Sequence, residues 1–313
     1  MKLKESTMNA HSATAGTAAQ DARLAEVVTM FVDATPPVGA PIEEWRAGFE
    51  DLCATFEIPD DAVIEPIEAN GVHGLRVSAP GARPDRVVIH FHSGGYVQGS
   101  ANGYRNFAYR LSQVTGATVI VPDFRLAPDY LYPAAVEDAE AVYRWALEQW
   151  APSDIVISGD SAGGGLAMAT LLLIRDKGLS KPAAGVGISP LLDLAGEGDS
   201  TRTNADSDPL IDRKMIVEMG KVYIGDIDPH ANPYCSPVWG EKNDLPPLLL
   251  LASTTETLRD DAVRFAEGVS AAGGSAELSL APGMIHIWTL FPFLEQAELS
   301  MAVIGDFVHS KIG

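Results

Sequence analysis

Eight short runs, most of them rich in β-branched residues, alternate with longer stretches of helical periodicity, and this rhythm leaves the chain few architectures. The runs fall at 63–67, 74–78, 86–91, 117–122, 154–158, 183–189, 248–252 and 276–280. Helical patterns fall at about 103–115, 134–150, 163–177, 258–272 and 295–311. Strands separated by helices need crossover connections, and crossovers make a sheet mostly parallel with helices on both faces. The first two or three runs have no helix between them and are expected to be antiparallel at one edge. The pattern predicts an α/β, three-layer sandwich on an eight-stranded sheet. At 313 residues the prior of about 150 residues per domain suggests two domains, although α/β folds often exceed that size as one unit.

Two segments break the rhythm. Before the first run, Leu24, Val27, Val28, Phe31 and Val32 recur at helical spacing until Pro36 and Pro37 stop them, and a second helix is expected over 42–56. Between 191 and 244 no strand is predicted, turn signals cluster (Gly196, Gly198, Asp208-Pro209, Asp228-Pro229, Asn232-Pro233), and one helical pattern lies near 215–223. A long insertion of this kind usually covers a site.

Composition narrows the class of partner. With 22 basic and 42 acidic residues, the net charge of −20 repels phosphate backbones and anionic lipid surfaces, so nucleic acid is excluded as an expected partner. No run approaches the roughly 18 apolar residues of a membrane span, and the longest, 245–252, contains two prolines. The first residues carry positive charge but lack the apolar stretch of a secretory leader, so 1–20 is expected to be a flexible tail. Cys53 and Cys235 are too few for a disulfide scaffold and too far apart for a zinc or redox motif; they are expected to be free thiols, as in a cytoplasmic protein.

The sharpest motif is Gly159-Asp160-Ser161-Ala162-Gly163, between a predicted strand and a predicted helix. A serine squeezed into such a turn needs small neighbours, and the turn lifts its hydroxyl above the sheet: a nucleophile elbow. The competing reading, a phosphate-binding turn, lacks the Lys-Ser or Lys-Thr of a P-loop and fits no G-x-G-x-x-G register. A second motif, His92-Ser93-Gly94-Gly95-Tyr96, ends the 86–91 run. Its glycines let backbone N–H groups approach a developing oxyanion, so Gly94, Gly95 and Ala162 are the expected donors.

A serine hydroxyl needs a histidine to take its proton, and that histidine needs a carboxylate to fix its tautomer. In sheet enzymes of this type the order is Ser, acid, His, which selects His286 after the last run over His11, His230 and His309. The acid belongs in the loop after 248–252. Glu256 comes first there, with Asp260 as its rival at the start of the next helix.

With these residues in hand, the sequence resembles the bacterial hormone-sensitive-lipase-like (family IV) carboxylesterases of the α/β-hydrolase fold. His92-Ser93-Gly94-Gly95 matches that family's His-Gly-Gly-Gly, 123–129 matches its Asp-Tyr-Arg-Leu-Ala-Pro-Glu, and the elbow completes the set over about residues 60–311. Two positions depart from it. Ser93 replaces the first glycine, and Glu256-Thr257-Leu258 stands where the family writes Asp-Pro-Leu, while an Asp-Pro-Leu at Asp208 follows no strand and reads as a decoy. The Glu-Thr-Leu and His286-Ile287-Trp288 combination is similar to a branch that includes monoterpene lactone hydrolases.

The resemblance implies N-terminal cap helices over 21–58 and a catalytic domain over 59–313 with a cap insertion at about 191–244. It implies a serine esterase acting on short- to medium-chain carboxylic esters through an acyl-enzyme, without metal or cofactor, and pairing of two copies near the eighth strand. Phe31, Tyr96, Tyr223, Ile287 and Trp288 are the expected wall of an apolar pocket. Three other readings stay open: a lactone hydrolase, an amidase on the same triad, and a non-catalytic small-molecule receptor on the same scaffold.

Overall fold

The computed structural model describes residues 18–37 and 39–312. The tail expected over 1–20 therefore lies outside the described residues as far as 17, and 18–20 already belong to the first helix.

Two helices, α1 (Ala18–Ala34) and α2 (Ile42–Ala54), precede the strands β1 (Val63–Ala69), β2 (Val72–Ser78) and β3 (Arg83–Phe91). Then follow α3 (Arg105–Thr115), β4 (Ala117–Pro122), α4 (Ala134–Gln149), β5 (Ile155–Asp160), α5 (Ala162–Asp176) and β6 (Ala184–Ile188). The 191–244 stretch holds no strand; it carries the short α6 (Ser200–Thr203) and α7 (Arg213–Ile224). The chain closes with β7 (Leu248–Ser253), α8 (Arg259–Ala271), β8 (Ala276–Ala281) and α9 (Glu295–Ile312). Asp212 caps α7 by accepting the Met215 N–H at 2.7 Å, which satisfies one of the free donors of that helix start.

The eight strands form one sheet in the order β1-β2-β4-β3-β5-β6-β7-β8. β1 and β2 pair antiparallel, as do β2 and β4, whereas β3 pairs parallel with both β4 and β5. The third strand thus belongs to the parallel part, and the antiparallel edge consists of β1 and β2 alone. The β3–α3–β4 crossover carries the chain back towards β2, so β4 lands between β2 and β3.

Alternation along the strands builds two cores. Val87, Ile89 and Phe91 of β3 and Leu248 and Leu250 of β7 face α4, α5 and α8, packing on Val142, Leu171 and Phe265. Val88, Leu249 and Leu251 point the other way, onto Phe107 of α3 and Ile304 of α9. This period of two, buried on both faces, is the signature of a central sheet in a three-layer sandwich. Its parallel strands all end on one side, where the loops after β3, β5, β7 and β8 meet.

Candidate active site

Ser161 is the single residue between β5 and α5, with φ 53° and ψ −121°. A non-glycine residue there costs about 1–3 kcal/mol and persists only where neighbours over-determine it. Here they do: its N–H donates to Ile188 O at 2.9 Å, and its carbonyl accepts the N–H groups of Gly165 at 3.0 Å and Leu191 at 2.9 Å. A Cβ on Gly163 would lie 2.0 Å from Phe91 O and 2.5 Å from His92 O, so only glycine lets α5 start this close to β3.

His286, in the loop after β8, reaches the serine with Nε2 2.9 Å from Ser161 Oγ. Its Nδ1 is 2.9 Å from Glu256 Oε2. A carboxylate only accepts, so the proton sits on Nδ1 and Nε2 is left to accept the serine O–H. The second oxygen of Glu256 is held at 2.6 Å by the Ser253 N–H and at 3.1 Å by the Ser189 hydroxyl. Ser189 in turn accepts the Ile287 N–H at 3.2 Å, joining the acid to the backbone beside the base. Burial pulls the His286 pKa down, but the hydrogen bond and charge of Glu256, with the charges of Asp208 and Asp160, outweigh it and leave it above the ordinary imidazole value.

The other carboxylates are engaged elsewhere. Asp260 accepts the Ser200 N–H at 2.8 Å and the Arg259 Nε–H at 2.8 Å, facing α6 rather than His286. Asp208, of the second Asp-Pro-Leu, accepts four donors from Leu210, Ile211 and Thr257. His230 sits in the insertion between Asp228 and Glu197.

Gly94 and Gly95 turn the loop after β3 at φ 120° and 62°. A side chain on Gly94 would meet Gln98 O at 2.2 Å. Among the described residues, the N–H groups of Gly94, Gly95 and Ala162 donate to no protein acceptor. The Ala162 N–H also opens α5, where the helix dipole favours negative charge.

Ser161, His286, Gly94 and Gly95 line one cavity of about 310 Å³. Phe31 of α1, Trp45 and Phe49 of α2, and Met215 and Met219 of α7 line it as well, and no Asp, Glu, Lys or Arg does so among the described residues. Of the five aromatic and aliphatic residues expected in the wall, Phe31 and Ile287 lie on the cavity. Tyr96, Tyr223 and Trp288 do not. Tyr96 and Tyr223 stack face to face at 3.9 Å and are spent on each other, and Trp288 is fully buried with its Nε1–H on Ser300 Oγ. Trp45 with Phe49, and Met215 with Met219, were not expected there; each pair is spaced by four on one helix, a visible signal that equally suits ordinary core packing.

Residues 88–290 match the alpha/beta hydrolase fold family. The solved structure of an esterase from the bacterial hormone-sensitive lipase family superposes with a TM-score of 0.91 at 36% identity, covering 95% of this chain and all of that one. The chain is an alpha/beta hydrolase of that family. Among relatives, this hydrolase is 37% identical over 236 residues to an acetyl-hydrolase of Streptomyces hygroscopicus, which spans 75% of this chain and 79% of the relative. It is 32% identical over 267 residues to an esterase of Acinetobacter venetianus, spanning 85% and 88%. No helix of the hydrolase, among the described residues, is long and apolar enough to cross a membrane.

Proposed function

We propose that Ser161 attacks the carbonyl carbon of a neutral carboxylic ester, with His286 as base, Glu256 as its orienting acid, and the N–H groups of Gly94, Gly95 and Ala162 as the oxyanion hole. The chain is a carboxylic ester hydrolase of the serine type. The observation that carries the assignment of roles is the continuous relay from Ser161 through His286 to Glu256, opening onto three unspent N–H groups. His286 takes the serine proton as the tetrahedral intermediate forms, then gives it to the departing alcohol; a water repeats the sequence on the acyl-enzyme.

Substrate class follows from the cavity. Its volume sits at the lower end of the roughly 300–1,000 Å³ usual for ligand pockets, and its wall is apolar. Short- to medium-chain acyl groups suit it. The helices of 21–58 and the 191–244 insertion act together as the cap, since α1, α2 and α7 all contribute to the cavity. Two buried unpaired thiols, Cys53 and Cys235, suit a cytoplasmic setting. The open edge of β8 suits pairing of two copies, which light scattering in solution would test.

The decisive experiment is initial-rate hydrolysis of p-nitrophenyl esters from acetyl to dodecanoyl, comparing wild type with Ser161→Ala. A short-chain optimum that vanishes in the variant is the expected result. Folded wild type inactive on every ester, or fluorophosphonate labelling that persists in Ser161→Ala, would sink the proposal.

A further inference from the structure

The elbow and the oxyanion loop arrive on different strands. Phe91 and Gly159 are paired across the β3–β5 ladder, and beyond that register no backbone ladder joins the two segments. A buried side chain does so. Tyr104, which precedes α3 and has no exposed surface, places its hydroxyl oxygen 2.6 Å from Asp160 Oδ2, 2.5 Å from Ser93 Oγ and 3.0 Å from the Ser93 N.

The phenol has one proton and the carboxylate can only accept, so the Tyr104 O–H goes to Asp160 while the Ser93 N–H and O–H both donate to Tyr104. Burial, reinforced by the charge of Asp160, pushes the phenol well above its ordinary range, so this donor persists at any working pH. The other oxygen of Asp160 is 3.2 Å from His90 Nε2, which completes the carboxylate's anchoring under the elbow. The second tie depends on the Ser93 hydroxyl, which a glycine at this position would lack.

We propose that Tyr104 is a positioning residue for the oxyanion hole, its hydroxyl clamping Ser93 to Asp160 and so holding the N–H groups of Gly94 and Gly95 in register with Ser161. The hydroxyls of Tyr104 and Ser93 are spent on each other and on Asp160, and Tyr104 does not line the cavity although Ser93 does. The inference rests on the ester-hydrolase reading above. It adds that turnover depends on a phenol outside the triad.

The test compares wild type, Tyr104→Phe, Ser93→Ala and the double variant on p-nitrophenyl butyrate, with rates expressed per active site from fluorophosphonate titration. A trifluoromethyl ketone, whose hemiketal oxygen occupies the hole, is measured alongside. Tyr104→Phe is expected to lower kcat about 10- to 100-fold with little change in KM, and to weaken the ketone by the same factor as kcat/KM. Ser93→Ala is expected to show a smaller loss of the same kind, and the double variant no more than Tyr104→Phe alone, because the two act through one contact. A residue that merely supports folding would reduce the number of active sites and the melting temperature while leaving per-site kcat and ketone affinity intact, and that result overturns the proposal. So does Ser93→Ala at wild-type kcat and ketone affinity, if Tyr104→Phe does not fold. An inactive, folded wild type would instead overturn the ester-hydrolase reading itself.

Discussion

Asp208 accepts both the N–H and the hydroxyl of Thr257, at 2.8 and 3.1 Å, one residue past the carboxylate that holds His286. The aspartate in the family-like Asp-Pro-Leu is therefore a strut between the 191–244 stretch and the loop after β7. Glu256→Ala is expected to lower kcat by roughly 10⁴-fold, as loss of the orienting acid does in serine hydrolases. Asp208→Asn and Asp260→Asn are each expected to cost less than about tenfold, since neither side chain touches the base. Steady-state kinetics of the three variants separate the assignments, and a near-normal Glu256→Ala would reverse them.

The acidic limb of kcat/KM should report His286. Only its neutral form can take the serine proton, so activity is lost as pH falls through its pKa. Because Glu256 and the nearby Asp208 and Asp160 hold that pKa above the ordinary imidazole value against burial, the limb is expected at correspondingly higher pH. Glu256→Gln and Asp208→Asn remove raising influences, and both are expected to move the limb to lower pH. A pH profile of kcat/KM for each, with p-nitrophenyl release read at an isosbestic wavelength, gives the direction.

Acyl-chain range should respond to Met219. Its side chain lies on the cavity against Gly95, so that a Cβ there would meet Met219 Cε at 2.1 Å. Met219→Ala is expected to favour longer acyl chains, with each extra methylene accommodated worth about 0.8 kcal/mol, or roughly fourfold in kcat/KM. The ester-length series measured on the variant checks this; an unchanged optimum would place the acyl group elsewhere in the cavity.

Arg46 ties α2 to the body of the protein. Its guanidinium donates to Val97 O at 2.9 Å and Ala127 O at 3.1 Å, and pairs with Asp129 at 2.7 Å. Arg46→Met keeps the apolar stem and removes these bonds, with an expected loss of about 1–3 kcal/mol of unfolding free energy. Urea denaturation measures it, and a coincident rise in KM would mark α2 as part of the substrate cover.

Much of this was legible in the sequence because it depends on local pattern. Every strand lies within a few residues of its expected place, since a five-residue apolar run such as 248–252, with Pro246 and Pro247 directly before it, is too short for a helix. The position of β4 between β2 and β3 was not legible, because neighbour order in a sheet is settled by the path of a crossover helix. The acid loop offered both Glu256 and Asp260, which follow the same strand; what separates them is the Ser253 N–H turning Glu256 inward and the Ser200 N–H drawing Asp260 away. Aromatic identity misled at Tyr96 and Tyr223, because a long-range stacking partner leaves no trace in local spacing.

The contact of Met219 with Gly95 bears on how such enzymes can be re-engineered. A helix that lines the cavity also rests on a glycine of the loop after β3, so under the proposed function selectivity and turnover would not be independent modules. Grafting α7 from a relative would import a foreign weight onto that glycine, and chimeras made by exchanging caps should show altered rates even on acetyl esters too small to reach the exchanged surface.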